Sequence, residues 1–229
     1  MSDETRFRDV AAIASVPDGA GVLAELAELG SATVYEAAGR RGLIDADLIQ
    51  VLPGSRVAGP ARTVRCGQDD NLMVHAAMAE LEAGEVLVLS MPEPRPVALV
   101  GELLAIQAHR RGAAAVLVDA SVRDLEELRE IGLPIWARWV RVRGATKEIP
   151  GAVGEPVSVG GALIRQGDVL VLDADGAAVI ERERVGGVLA AARERAARER
   201  AKRAKLEAGA LSFELDGLRA RLEGSRSDE

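Results

Sequence analysis

The chain of 229 residues has 36 acidic and 29 basic residues, a formal net charge of −7, and 48% hydrophobic residues. Its acidic balance argues against a general nucleic-acid binder or a binder of anionic membranes, because both need a surplus of Lys and Arg. Aromatic residues make up 2%, too few for a surface that stacks nucleic-acid bases. The single cysteine, Cys66, excludes an intrachain disulfide and a multi-cysteine metal site.

The N-terminal residues 1–18 are polar with short apolar spots, and they predict a loosely attached arm or a first helix. They lack the apolar core of a signal peptide, and the apolar runs of the chain are far shorter than the roughly 20 residues that span a bilayer. We therefore expect a cytoplasmic protein that binds neither membrane nor nucleic acid.

Two helices are predicted between Gly21 and Gly42, because apolar residues recur there at helical spacing with a break at Gly30 and Ser31. Residues 57–66, VAGPARTVRC, predict an extended strand that is bulged or lies at a sheet edge, since Pro60 cannot donate to a ladder. A third helical pattern follows.

That third helix is predicted over residues 69–81. After it, residues 83–90 and 166–173 share the pattern Gly-acid-Val-Leu-Val-Leu, which predicts two strands buried on both faces. The similarity is too short to establish a duplicated domain. It does indicate that the sheet includes both halves of the chain.

The stretch from Pro96 to Ala137 reads as strand, glycine turn, helix, strand, acidic loop and helix. The first strand ends at Gly101, so the N–H groups of residues 102–104 should lie unpaired at a helix N-terminus, where anions bind. The second apolar run is expected to end at Asp119, with Arg123 and Asp124 on the loop before the next helix. Ligands of open α/β sheets bind at this edge.

The C-terminal part changes character after residues 140–161, whose Gly, Pro and Val content predicts short strands with tight turns. Residues 181–209 predict a long, charged, alanine-rich helix. It is either a solvated helix packed by one face, a helix that lies across a neighbouring protomer, or an RNA-binding helix. The tail, residues 211–224, predicts one short amphipathic helix.

The sequence lacks the motifs of several kinds of site: there is no phosphate-binding glycine loop, no histidine pair at metal-ligand spacing and no Gly-x-Ser-x-Gly turn. His75 lies within a helical pattern and is interpreted as a half-buried residue with its hydrogen bonds satisfied. His109, beside two arginines, is interpreted as a surface residue at a helix C-terminus.

Arg123 and Asp124 remain, and two interpretations of them stay open. They are either an ordinary acid at a helix start with a locally paired arginine, or parts of a binding site. In the second case, the helix end at Gly101 holds a carboxylate, Arg123 neutralises an oxyanion, and Asp124 recruits a hard divalent cation completed by water and substrate. That combination suits Mg²⁺ and a small 2-oxo acid.

The sequence also resembles the RraA-like family. The resemblance rests on motifs in the same order: RVAGPARTVRC at 56–66, DNLMVHAA at 70–77, GELLA at 101–105, RGAAAVLVDASVRD at 111–124 and GDVLVLDADG at 167–176. Two further segments, TVYEAAGRRG at 33–42 and ATKEIPG at 145–151, resemble the metal-dependent, class II 4-hydroxy-4-methyl-2-oxoglutarate aldolases of this family. Those aldolases also decarboxylate oxaloacetate.

The resemblance implies an α/β fold of swivelling β/β/α type, similar to phosphohistidine domains, with a long C-terminal helix. It also implies a homotrimer or hexamer, a divalent metal (Mg²⁺ or Mn²⁺) and a site at the protomer interface. The chain would form one domain, with an arm at 1–18, a core at 19–180 and a helical extension at 181–222.

Site residues carried over from the family give the backbone of Gly101, Glu102, Leu103 and Leu104 and the side chain of Arg123 as substrate-binding groups. Asp124 would be the direct metal ligand, and Arg123, Asp124 and Glu102 the catalytic residues. Glu102 and Glu199 would reach the metal through water, Glu199 from a neighbouring protomer.

Two features complicate the aldolase interpretation. Position 102 is Glu where Asp is frequent, and residues 119–121 read Asp-Ala-Ser where Asp-Gly-x is commoner.

The family also contains proteins that bind and inhibit a ribonuclease, which is the alternative function. Lys147, the one lysine of the predicted core at 19–180, is the residue that would support a Schiff-base route instead of a metal.

Overall fold

The structure is a computed structural model that describes residues 19–225, so the predicted arm at 1–18 lies outside the described residues. The helices are α1 (Gly19–Leu29), α2 (Ser31–Ala37), α3 (Leu72–Glu80), α4 (Glu102–Arg110), α5 (Leu125–Ile131), α6 (Val185–Glu207), α7 (Ser212–Leu215) and α8 (Leu218–Ser225). The strands are β1 (Ile49–Gln50), β2 (Val57–Arg65), β3 (Val86–Ser90), β4 (Ala98–Val100), β5 (Ala115–Val122), β6 (Ile135–Val140), β7 (Ala152–Val153), β8 (Val157–Val159), β9 (Ala162–Ile164), β10 (Val169–Asp173) and β11 (Gly176–Ile180).

Nine of these strands form one sheet in the order β1-β6-β5-β3-β2-β10-β11, with β4 beside β5 and β7 beside β2. Its centre is parallel, since β2, β3, β5 and β6 run in the same direction. The two strands predicted from the shared pattern, β3 and β10, both belong to this sheet and are buried along their whole length. The prediction that the sheet includes both halves of the chain is therefore confirmed.

The central strands separate two hydrophobic layers because successive side chains of a strand point to opposite faces. In β3, Leu87 and Leu89 pack with side chains of α3, α4 and α5. Val86 and Val88 pack on the other face with side chains of β8, β9 and β10. Helices therefore cover one face of the sheet and further strands cover the other, as the β/β/α prediction requires.

The strand predicted over residues 57–66 is confirmed as β2, but the alternative that it lies at a sheet edge is wrong, because β2 lies between β3 and β10. Its first half pairs with β10, up to Pro60, and its second half pairs with β3, starting at Ala61. The missing N–H of Pro60 therefore falls at the junction between two ladders. Gly59 brings the strand close to its neighbours, since a Cβ there would lie 2.7 Å from the Gly84 carbonyl oxygen.

The expectation that the second apolar run ends at Asp119 is also wrong, since β5 continues to Val122. Asp119 is buried and forms an ion pair with Arg138 on the neighbouring strand β6. Burial raises the pKa of Asp119, and Arg138 acts against that rise. Because Arg138 pairs with the Asp119 carboxylate, β5 can bury this acidic residue within the strand.

The predicted C-terminal helix is confirmed as α6, whose buried residues are Val188, Leu189 and Ala192 near its start. Val188 and Leu189 pack in a cluster with residues of α1, α2, β10 and β11. The tail forms two helices rather than the single one predicted, because Gly217 adopts a positive φ of 65° between α7 and α8. Within residues 19–225, no helix is both long enough and apolar enough to cross a membrane.

Candidate active site

The predicted site lies where two parallel strands end. β4 pairs with β5 in parallel, so their carboxyl ends reach the same edge of the sheet. Gly101 follows β4 and leads into α4, while Arg123 and Asp124 follow β5 and lead into α5. A hydrogen bond from the Arg123 N–H to the Val100 carbonyl, at 3.1 Å, joins the two turns. The fold therefore brings together two segments that lie about 20 residues apart.

Asp124 has a left-handed backbone, with φ of 60° and ψ of 51°. Asp and Asn tolerate this conformation better than most residues, and its presence at a cavity is typical of functional sites. Its carboxylate Oδ2 accepts a hydrogen bond from the Glu102 N–H at 3.0 Å. Asp124 thus links the start of α5 to the start of α4.

Arg123 extends beside this carboxylate, with its Nε 3.6 Å from Asp124 Oδ2. Half of the Arg123 side chain and 39% of the Asp124 side chain are exposed. A Cβ at Gly144 would lie 2.8 Å from Arg123 Nη1, so glycine there leaves room for the guanidinium. Cation and carboxylate are both accessible to a ligand.

A cavity of about 140 Å³ is lined by Gly101, Glu102, Leu103, Leu104, Arg123 and Asp124. All the site residues predicted from one protomer therefore meet at one place. The expectation of unpaired N–H groups holds for Leu103 and Leu104, which donate to no acceptor among residues 19–225. It is wrong for Glu102, because Asp124 accepts its N–H.

Glu199 does not belong to this cavity within one chain. It lies on α6 and pairs with Arg195 one turn earlier, at 2.9 Å. Its predicted contribution from a neighbouring protomer stays a prediction.

The acidic side chains at the cavity are the candidate ligands of the predicted metal. Residues 19–225 contain no group of three or more His, Cys, Asp or Glu side chains placed to hold a metal ion. Asp124 and Glu102 both line the cavity and offer carboxylate oxygens. Such donors fit a hard, largely hydrated cation such as Mg²⁺ or Mn²⁺, and they do not fit a zinc site built from nitrogen and sulfur ligands.

Three polar residues that the sequence analysis left out of the site also line the cavity, namely Asn71, His75 and Lys147. Lys147, the lysine that a Schiff-base route would use, is exposed. Asn71 directly precedes α3 and His75 lies on its first turn, four residues later, a spacing already present in the DNLMVHAA motif.

Asn71 and His75 each have a buried polar atom without a hydrogen-bond partner among the described residues, namely Asn71 Oδ1 and His75 Nε2. Burying such a group without a partner costs about 1–3 kcal/mol. His75 is half-buried as predicted, but its hydrogen bonds are not all satisfied. Burial, with the positive charge of Lys147, lowers the pKa of His75.

Comparison with known proteins identifies relatives along most of the chain. The family described as RraA-like, Aldolase/RraA, matches residues 27–179. A 4-hydroxy-4-methyl-2-oxoglutarate aldolase of Thermus thermophilus is 37% identical over 53% of this chain and 74% of its own length. A protein of Halalkalibacterium halodurans, provisionally named for the same activity, is 34% identical over 73% of this chain and 78% of its own length.

Among solved structures, Streptomyces coelicolor RraAS2, described as an unusual member of the RNase ES inhibitor RraA family, has a TM-score of 0.75 and 29% identity. The match covers 82% of this chain and 99% of that structure. The family match at residues 27–179 includes every residue that lines the cavity. The protein therefore belongs to the RraA-like family.

Proposed function

We propose that the protein is a divalent-metal-dependent lyase that cleaves 4-hydroxy-4-methyl-2-oxoglutarate to pyruvate and also decarboxylates oxaloacetate. The observation that carries this proposal is the convergence of Arg123, Asp124 and the first turn of α4 on one cavity. The aldolase names of the two relatives support it.

The 2-oxo acid end of the substrate binds between the first turn of α4 and Arg123. The N–H groups of Leu103 and Leu104 donate to its carboxylate, aided by the partial positive charge of the helix N-terminus. The guanidinium of Arg123 neutralises the negative charge that develops on the 2-oxo oxygen. These groups hold the substrate in one orientation.

Asp124 would hold the metal directly, and Glu102 and the Glu199 of a neighbouring protomer would reach it through water. When bound, the divalent ion supplies Lewis-acid polarisation of the 2-oxo group. Glu102, one methylene longer than Asp, reaches further from the same backbone position. The hydrogen bond from the Glu102 N–H keeps Asp124 oriented towards the cavity.

Cleavage of the C3–C4 bond needs loss of the 4-hydroxyl proton and a place for the electron pair left on C3. The 2-oxo group takes up this pair as a pyruvate enolate, which Arg123 stabilises, and C4 becomes the carbonyl carbon of a second pyruvate. Solvent water accepts the 4-hydroxyl proton and supplies the proton that is added at C3, so no net proton is gained or lost. Loss of CO₂ from oxaloacetate leaves a pair on the equivalent carbon, so the same groups serve both reactions.

The test is pyruvate release by chelator-treated protein with and without Mg²⁺, beside Asp124→Asn. Asparagine keeps the side-chain shape and tolerates the left-handed backbone, but it lacks the charge. We expect Mg²⁺ to restore turnover in the wild type, and Asp124→Asn to lower it at least about 100-fold. A folded wild type without turnover in Mg²⁺ or Mn²⁺, or an Asp124→Asn variant as active as wild type, would contradict the proposal.

A second candidate function is inhibition of a ribonuclease, which the similarity to RraAS2 favours. It is tested by adding the protein to RNase ES during cleavage of an RNA substrate. Equal inhibition by wild type and Arg123→Ala, with no pyruvate release, would favour this candidate. Loss of pyruvate release in Arg123→Ala, without any inhibition by either protein, would favour the aldolase.

We further propose that the protein acts in the cytoplasm as a trimer or hexamer. The exposed leucines Leu206, Leu211, Leu215 and Leu218 support the oligomer.

A further inference from the structure

A second group of polar residues lines the cavity, apart from Arg123 and Asp124. Asn71, the residue that precedes α3, and His75, on the first turn of α3, line it. Lys147 lines it from the loop after β6. The proposed binding of the 2-oxo acid end involves none of these three residues.

Asn71 is fixed in one orientation. Its side chain is 8% exposed, and its Nδ2 donates to the Leu99 carbonyl oxygen at 3.0 Å. Because the amide nitrogen is occupied, the unpartnered Oδ1 is a hydrogen-bond acceptor. The ligand that satisfies it must therefore present a donor such as a hydroxyl group.

His75 adds a second buried atom without a partner among residues 19–225, Nε2. Burial and Lys147 lower the pKa of His75, which favours the neutral imidazole at neutral pH. A neutral imidazole presents a hydrogen-bonding nitrogen without adding charge.

Lys147 places a second cation at a cavity that already contains Arg123. Its loop is held by Asp70, whose Oδ2 accepts hydrogen bonds from the Thr146 hydroxyl and the Glu148 N–H, both at 2.6 Å. Two cationic side chains on one small cavity suit a ligand with two carboxylates.

We propose that Asn71, His75 and Lys147 bind the C4 end of the substrate and select a 2-oxo acid with both a hydroxyl and a carboxylate there. Lys147 pairs with the distal carboxylate, and Asn71 Oδ1 accepts the hydrogen bond of the 4-hydroxyl. His75 Nε2 forms a further hydrogen bond with the 4-hydroxyl or with the distal carboxylate. The assignment rests on the proposed function, because it takes the 2-oxo acid end to lie at Arg123.

The first test compares two substrates in wild type and Asn71→Ala. Oxaloacetate lacks the 4-hydroxyl, so Asn71→Ala should lower kcat/KM for 4-hydroxy-4-methyl-2-oxoglutarate about tenfold and change that for oxaloacetate little. An equal decrease for both substrates in a folded variant would overturn the role of Asn71.

The second test measures binding and does not need turnover. 2-Oxoglutarate has the distal carboxylate and 2-oxopentanoate has a methyl group in its place, so their affinities are compared by calorimetry with Mg²⁺ present. We expect wild type to prefer 2-oxoglutarate about tenfold, Lys147→Met to lose this preference and Lys147→Arg to keep it. Both substitutions suit an exposed position and should leave the fold intact.

A wild type without the preference, or a Lys147→Met variant that retains it, would overturn the role of Lys147. The two proposals fail separately. If wild type turns over neither substrate but shows a preference that depends on Lys147, the aldolase proposal fails and the dicarboxylate site stands. If turnover is found without such a preference, the reverse holds.

Discussion

Gly101 is required at the site for space rather than for backbone freedom. Its φ of −134° and ψ of −170° are extended values that any residue adopts. A Cβ at this position, however, would lie 2.5 Å from Asp124 Oδ2 and 3.1 Å from Arg123 Cγ. Glycine therefore lets both site residues approach the turn.

Replacing Gly101 by alanine should displace the Asp124 carboxylate and lower kcat/KM about 100-fold, since small misplacements of site groups have effects of this size. The measurement is pyruvate release together with circular dichroism. Gly187→Ala is the matched control, because nothing lies within 4 Å of a Cβ there. It should leave activity unchanged and raise the free energy of unfolding by about 0.5 kcal/mol. A Gly101→Ala variant with wild-type kcat/KM would show that the Asp124 position is not critical.

At the scale of elements, the start of α3 is tied to the loop that carries Lys147 through Asp70, which is fully buried. Burial by itself would raise the pKa of Asp70. Hydrogen bonds from Glu148, Thr146, Leu72 and Ile149 outweigh that effect and lower the pKa to about 2. The ionised carboxylate therefore stabilises the folded state.

The lowered pKa predicts how this stabilisation depends on pH. It is complete above the unfolded-state pKa near 4 and is lost as pH falls through the folded-state value of about 2. Asp70→Asn should lower the free energy of unfolding by about 2.5 kcal/mol at pH 7 and by about half as much at pH 3. Urea titrations at the two pH values measure this, with the exposed Asp175→Asn as control. A difference between Asp70→Asn and wild type that is the same at both pH values would contradict the prediction.

At the scale of the whole molecule, the residues of α6 that are buried within the described part of the chain all lie in its first half. Beyond it, Leu206, Leu211, Leu215 and Leu218 are 38–65% exposed in the single chain. A helix of this kind gains most of its stability from packing, so we expect these residues to be buried against a second copy.

Light scattering after size-exclusion chromatography should therefore give a multiple of the 24.1 kDa chain mass. Replacing both Leu215 and Leu218 by Gln should reduce that mass, because polar groups would be buried without partners. Leu163→Gln, at an exposed leucine of β9, is the control and should not change it. A wild type that stays at 24.1 kDa at micromolar concentration would rule out the proposed oligomer.

Much of the site was predictable because its groups come from local patterns. A glycine after an apolar run predicted the turn at Gly101, and the acidic loop predicted Arg123 and Asp124 before a helix. Parallel pairing of β4 and β5 then joins the two turns. The family resemblance supplied the residue roles, which stay predictions.

The sequence by itself determined where most helices and the central strands lie, since helical and strand periodicities depend on residues a few positions apart. Only the tertiary structure decided that β2 lies inside the sheet and that Asn71, His75 and Lys147 reach the cavity of Arg123. The reason is physical: which strands pair, and which polar atoms are left buried without partners, depends on contacts between segments far apart in the chain. No local pattern reports those contacts.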